Sequence, residues 1–372
     1  MRRPRVLHVH RDFAPHQGGG GVARHIHGLA TTAAGLGFDV RVVAPRAATP
    51  DDRCDYDVHA DARRGLWRHV GWADIVHVHG ARTPITALAA LLARLRGKRL
   101  VYTPHCYYDD KASLKQVAKR LWDHVIERRL LAASDATVLL AEFWRDELRA
   151  RGLAAATPVI LPNCVLGSAV LAGPARAVRL EGEPSLLSVG RLDPVKRLED
   201  AIAALGRPEL AQAVLHIVGR GPDRERLAHC AARAGVAARV RFHGFVADSE
   251  VAAMAAGAGC FVLPSEAEGG PTVLIEMLLM GCRIVASDIP ANVAILQAAG
   301  WTEGLYPLGD VEALAVTAAR VAQLHLPAEV TARTRDHFTW ESHAARILAL
   351  YGQTSPRADV GPAAMSETDG LV

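Results

Sequence analysis

Short β-branched runs alternate with amphipathic stretches along most of the chain. RVLHVH (5–10), DVRVVAP (39–45), DIVHVHG (74–80), RLVYTPH (99–105), ATVLLA (136–141) and PVILP (158–162) are largely apolar without strict alternation. That pattern marks strands covered on both faces, as in a parallel sheet. Helical periodicity fills the gaps: Val22 to about Leu36, closed by Gly37, then TPITALAALLARLRG and EFWRDELRARG. Residues 1–168 therefore read as one doubly wound α/β domain. Across 169–184 the pattern lapses into small residues, Arg and Gly, as a linker would. The same grammar restarts with SLLSVG (185–190), VLHIVG (214–219), RVRFHG (239–244), CFVLPS (260–265) and RIVAS (283–287), and predicts a second such domain over 185–339. WESHAARILALYG (340–352) predicts a last helix, expected to return toward the first domain. The polar, small-residue tail 353–372 is expected to be disordered.

Two tandem α/β domains place a cleft between the carboxyl ends of their strands, where such sheets bind ligands. Composition narrows the ligand only by exclusion. The 372 residues carry a net charge of +4, too little to argue for nucleic acid. No run of 18 apolar residues exists, and VLHVH near the start is too short for a signal peptide. The six cysteines show no CxxC and no metal spacing, so free thiols in the cytoplasm are expected.

Four clusters at strand ends carry candidate chemistry. His16-Gln17-Gly18-Gly19-Gly20-Gly21 follows the first strand, and its glycines let backbone N–H groups approach a ligand. It is not a dinucleotide fingerprint, because the G-x-G-x-x-G spacing fails and the second strand ends in Ala44-Pro45. Arg191 and Lys196 leave one strand end five positions apart and could grip one polyanion, or be two surface cations. Gly219-Arg220-Gly221-Pro222 is a tight turn. Finally, PSEAEGGPTVLIEMLLM (264–280) joins an acidic glycine loop to a helix expected to start at Pro271. Its N-terminus offers unpaired N–H groups to an anion, and Glu276 is a lone carboxylate in an apolar run that needs a partner.

The order strand–GRL-x3-K, strand–GxGP, GF, then PS-x-x-EG-x-P-x-x-x-x-E resembles glycosyltransferase family 4, retaining enzymes of the GT-B fold with two facing Rossmann-like domains. The likeness runs from VLHVH to the WESHAARILALY helix, and the pair Glu268-x7-Glu276 is its most specific element. It implies that Glu268 meets the donor sugar, Glu276 the ribose, and Arg191 and Lys196 the diphosphate. It also implies that His105 lies near the sugar and that Gly244-Phe245 sits beside the base. The remaining donor contacts implied are Gly18, Gly19, Gly20, Gly21, Gly219, Gly221, Gly269, Gly270, Pro271 and Thr272. The chain departs from the family at Pro162-Asn163-Cys164-Val165-Leu166, at Ala141 and at Gly270-Pro271.

The expected reaction moves a hexose from a UDP- or GDP-sugar to a glycan or lipid-linked hydroxyl, with no cofactor and no metal. Asp109-Asp110 reads as a pair of loop acids rather than a metal motif. The alternatives are a nucleotide-sugar epimerase of the same fold and an inactive nucleotide-binding or membrane-associated scaffold. Lys111, Lys115 and Lys119 recur along a basic amphipathic stretch (111–129) with Leu114, Leu121 and Trp122 interleaved. Its reading is open between a solvated helix face and an anionic membrane surface, the inner face of the cytoplasmic membrane. His8, His10, His77 and His79 read as core hydrogen-bonders, and His16 as a second histidine to test beside His105.

Overall fold

The computed structural model describes residues 2–15, 20–50, 54–107, 114–167, 170 and 177–352. Two fully parallel sheets form. The first runs β3-β2-β1-β4-β5-β6-β7, from β1 (Arg5–Val9), β2 (Asp39–Val43), β3 (Asp57–His59), β4 (Ile75–His79), β5 (Arg99–Thr103), β6 (Ala136–Leu139) and β7 (Pro158–Ile160). The second runs β10-β9-β8-β11-β12-β13, from β8 (Ser185–Val189), β9 (Val214–Val218), β10 (Val240–Gly244), β11 (Cys260–Leu263), β12 (Ile284–Ser287) and β13 (Leu305–Tyr306). In both, the chain starts in the middle, winds outward one way, then crosses back to the other side of the first strand. The crevices open at these reversals, between β1 and β4 and between β8 and β11.

Apolar side chains on both faces of the first sheet pack under helices, as the unbroken hydrophobic runs require. The second sheet has one core of its own, including Phe261, Ile275, Leu278 and Leu296. β3 and β13 were not expected. They are edge strands of three and two residues, too short to show a period. The first helix begins at Gly20 rather than Val22.

The chain end returns to the first sheet. Trp340, Ile347, Leu350 and Tyr351 belong to its core, and each contributes about 1.5–3 kcal/mol by burial. Gly28 makes room for this, since a Cβ there would lie 2.1 Å from Trp340 Nε1. The Tyr351 hydroxyl sits 2.7 Å from His77 Nδ1, and Arg99 donates to the Leu350 carbonyl at 3.1 Å.

Candidate functional site

The β8–β11 crevice gathers the charged residues singled out in the sequence. Beyond β8 the chain makes a single 3-10 turn, Pro194–Lys196. Its Lys196 Nζ meets Glu268 Oε1, which also accepts from Ser265 Oγ at 2.8 Å. Glu268 is 7% exposed, so this carboxylate has exchanged water for two donors. The Glu266 amide donates to the Val195 carbonyl at 2.9 Å and ties the two loops together. Arg191 is 65% exposed and pairs with Asp193 at 2.8 Å. Arg191 and Lys196 line one small recess with Ser188, Gly190 and Leu263.

Gly219 and Gly221 have a packing duty. A Cβ on Gly219 would fall 1.8 Å from the Gly190 carbonyl oxygen, and one on Gly221 would fall 2.1 Å from that of Leu192. The two glycine turns stack, and the second holds the loop that carries Arg191. Beside them Gly244 adopts φ 70, and Phe245 lies half exposed with the Arg220 guanidinium 5.9 Å from its ring centre.

One boundary differs from expectation: Pro271 caps the helix, and Thr272 is its first residue (Thr272–Leu279). With ψ 105, Pro271 is extended, and its ring sits outside the helical ladder. Gly269, Gly270 and Pro271 lead into this N-terminus. Their carbonyls are held from the other half of the molecule: Trp144 Nε1 donates to Gly269 at 3.0 Å, and Asn163 Nδ2 donates to Gly270. A Cβ on Gly269 would meet the His105 carbonyl at 2.7 Å. Thr272 faces Gly21, at 3.8 Å from where a Cβ would stand, and Gly20 adopts φ 74. Gly18, Gly19 and His16 lie outside the described residues, as do Lys111, Asp109 and Asp110.

Glu276 does have a partner, and it comes from the first helix. Arg24 Nη1 donates to Glu276 Oε1 at 3.1 Å, while Nη2 donates to Asp248 Oδ1 at 2.7 Å. Glu276 is only 14% exposed, so this is the better-shielded of the two pairs. Sequence reasoning missed Arg24, Trp144 and the bond from Asn163, because each acts across more than a hundred positions. The one available signal for Arg24 was its place one turn into a helix that follows a glycine loop.

At the β1–β4 crevice six histidines converge. His8 and His77 are register partners on neighbouring strands, and His79 and His105 end β4 and follow β5. His105 has φ 65, a conformation that is strained for a residue with a Cβ. Its Nε2 lies 3.2 Å from His79 Nδ1, and the His25 ring meets it edge-on at 4.8 Å. Burial drives His8 down to about 3 and His25 to about 4, and holds His77, His79 and His105 well below the ordinary 6.5; neighbouring imidazoles push His8, His77, His79 and His105 the same way. His10 Nδ1 donates to the His79 carbonyl at 3.0 Å. The four strand histidines thus make the core hydrogen bonds expected of them.

Family models match both halves. Residues 20–164 fit the glycosyl transferase 4-like domain and residues 174–329 fit glycosyl transferases group 1. A phosphatidyl-myo-inositol mannosyltransferase of Mycobacterium leprae is 30% identical over 370 residues, covering 89% of this chain and 92% of its own. The chain belongs to the group 1 glycosyltransferases, family 4. A glycogen synthase of Mycobacterium tuberculosis is 26% identical over 93% of this chain and 94% of its own. Among solved structures, sucrose-phosphate synthase from Thermosynechococcus elongatus superimposes with a TM-score of 0.74 at 20% identity, over 94% of this chain and 99% of its own. Anabaena HepE in complex with UDP and glucose gives 0.67 at 16%, over 95% and 99%. These likenesses establish the GT-B fold for this glycosyltransferase.

Proposed function

We propose that this glycosyltransferase moves a hexose from a UDP- or GDP-sugar to a hydroxyl of a glycan or lipid-linked acceptor, with retention and without a metal. The observation that carries the donor reading is the meeting of Lys196 with Glu268 beneath the Thr272 helix N-terminus. A departing nucleoside diphosphate gathers negative charge. Arg191, Lys196 and the unpaired N–H groups of that helix are fixed cationic or dipolar groups that can stabilise it. In this reading the diphosphate takes Lys196 while Glu268 turns to the sugar hydroxyls. A ribose displaces Arg24 from Glu276. His105 and the Gly20–Gly21 turn close on the sugar from the other side. The acceptor oxygen attacks C1 on the face the diphosphate leaves, and a phosphate oxygen takes the acceptor's proton. The named activity of the Mycobacterium leprae relative supports a lipid-linked acceptor of the cell envelope.

A membrane-facing role has its own support. The helix Leu114–Trp122 has no buried residue, and Leu114 is 90% exposed, with Val117 and Leu121 also open to solvent. Lys115, Lys119 and Arg120 flank them, and the helix contains no acid. The helix Pro84–Leu95 also exposes Leu88, Leu91 and Leu95 and is likewise acid-free. Apolar side chains beside these cations suit an anionic bilayer surface. Among the described residues no helix is long and apolar enough to cross a membrane.

The test is a thermal-shift panel of UDP, GDP, ADP and their sugars, with and without EDTA. One nucleotide family should raise the melting temperature, because a ligand bound only by the native state stabilises it. Turnover with candidate acceptors should survive EDTA. No shift with any nucleotide would refute the donor reading, and sugar interconversion without an acceptor would favour the epimerase. Equal binding to anionic and neutral vesicles, unaffected by Lys115→Glu with Lys119→Glu, would refute the membrane role.

A further inference from the structure

His105 is the near end of a chain of imidazoles. His105 Nε2 lies 3.2 Å from His79 Nδ1, and His79 Nε2 lies 2.9 Å from His8 Nδ1. All three rings are buried, and His8 Nε2, at the far end, has neither solvent nor a hydrogen-bond partner. His77 stacks alongside but is not a link, since the Tyr351 hydroxyl and Thr103 Oγ1 occupy its two nitrogens at 2.7 Å each. The His79 backbone is pinned as well, its carbonyl meeting both His10 Nδ1 and Thr86 Oγ1.

Burial keeps the three rings neutral near pH 7, so each carries one ring N–H. Three protons across two contacts allow two senses. In one, His105 donates to His79 and His79 to His8, which leaves the His8 proton on a buried Nε2 with no acceptor. In the other, His8 Nδ1–H donates to His79 Nε2, His79 Nδ1–H donates to His105 Nε2, and only a lone pair on His8 Nε2 goes unused. An orphaned buried N–H is the rarer and costlier defect, so the second sense prevails. The His105 proton is then on Nδ1, which makes no hydrogen bond to the described residues.

We infer that His79 and His8 are positioning residues for sugar transfer, whose hydrogen-bond chain fixes His105 as its Nδ1–H tautomer and so presents a hydrogen-bond donor to a hydroxyl oxygen of the donor sugar. This rests on the reading that places His105 at the sugar. Neither residue reaches the cleft itself. Their effect passes through the ring of His105, as the supporting groups of a catalytic histidine usually act.

The experiment uses the full chain, labelled with 15N, and reads the histidine rings by two-bond proton–nitrogen correlation in the unmodified protein, in His8→Leu and in His8→Asp. Leucine strands a lone pair rather than an N–H on His79 Nε2 and so keeps the sense of the chain, whereas a carboxylate at position 8 accepts from His79 Nε2–H and reverses it. Calorimetry on the same proteins follows UDP, GDP, UDP-glucose and GDP-mannose. His105 should be Nδ1–H in the unmodified protein and in His8→Leu, and Nε2–H in His8→Asp. Whichever sugar nucleotide binds should bind about fivefold more weakly to His8→Asp, as expected for one lost neutral hydrogen bond, and its free nucleotide should bind equally well. An Nε2–H signal from His105 in the unmodified protein overturns the inference, and it decides the matter even if His8→Asp does not fold. Stoichiometric zinc on the purified protein, with the His25, His79 and His105 rings metal-shifted, also overturns it. An Nε2–H signal with unchanged sugar-nucleotide affinity in His8→Asp overturns instead the placement of His105 at the sugar.

Discussion

Mild acid should unfold the N-terminal half, and the histidine cluster sets how steeply. His8, His25, His77, His79 and His105 are all buried and neutral in the folded protein, with pKa values pushed below the ordinary 6.5 by desolvation. The unfolded chain takes up protons on these rings as soon as the pH drops below 6.5, while the folded chain does not until about 4 for His25 and about 3 for His8. Their contribution is therefore complete well above pH 6.5 and is lost as the pH falls through 6.5 toward those folded values. Each ring loses about 1.4 kcal/mol per pH unit in that window. At pH 5.5 five rings give a loss on the order of 7 kcal/mol, against a typical total stability of about 5–15 kcal/mol. Glu127 acts in the opposite direction, because burial raises its pKa, but one carboxyl does not offset five imidazoles. Urea midpoints at pH 7.5, 6.5 and 5.5 and constant ionic strength measure the effect, with a fall on the order of 2 kcal/mol over the first interval and about 5 kcal/mol over the second. A loss below about 2 kcal/mol between pH 6.5 and 5.5 would mean that the rings are protonated in the folded state and would refute the neutral cluster.

Four mutations probe the donor side. Arg191→Ala or Lys196→Ala should each lower turnover at least about tenfold, roughly 1.4 kcal/mol of transition-state stabilisation, and wild-type rates in steady-state assays would count against the diphosphate clamp. Arg24→Ala leaves the shielded Glu276 carboxylate without its cation and should cost about 1 kcal/mol, nearly all of it from that pair, since Asp248 is mostly exposed. The thermal shift produced by the bound nucleotide should then exceed that of the wild type, because the ribose no longer competes with Arg24; a smaller shift would contradict the proposed role of Glu276. Gly219→Ala drives a Cβ to 1.8 Å from a backbone oxygen at φ 132, so chemical denaturation should show a loss of about 1–3 kcal/mol together with weaker nucleotide binding. Unchanged stability would show that the stacked glycine turns have slack.

What could be read from the sequence was whatever lies within one stretch of chain. The strands of both sheets showed as apolar runs because a parallel sheet buries both faces, and only β3 and β13, at the edges, were too short to register. Glu268 and Glu276 share one segment, and Arg191 and Lys196 another, so the spacing within each was visible, and the family resemblance brought the two segments together. Arg24 meets Glu276 across 252 positions, and no local pattern encodes such a pair. Even so, the buried carboxylate in an apolar helix had announced that some partner must exist.

The histidines show how a long-range contact can nevertheless be written locally. HVH occurs at the end of β1 and again at the end of β4, and period-2 alternation puts His8 and His10 on one face of the first strand and His77 and His79 on one face of the other. Once the strand order makes β1 and β4 parallel neighbours with His8 opposite His77, the imidazoles must crowd together at the reversal point. The missing information was the strand order alone. A crowd of neutral rings at the mouth of a cleft can hold one proton arrangement only if the bonds among them leave the fewest N–H groups stranded. That condition, rather than any single histidine, ties the packing of β1 and β4 to the chemistry available at His105.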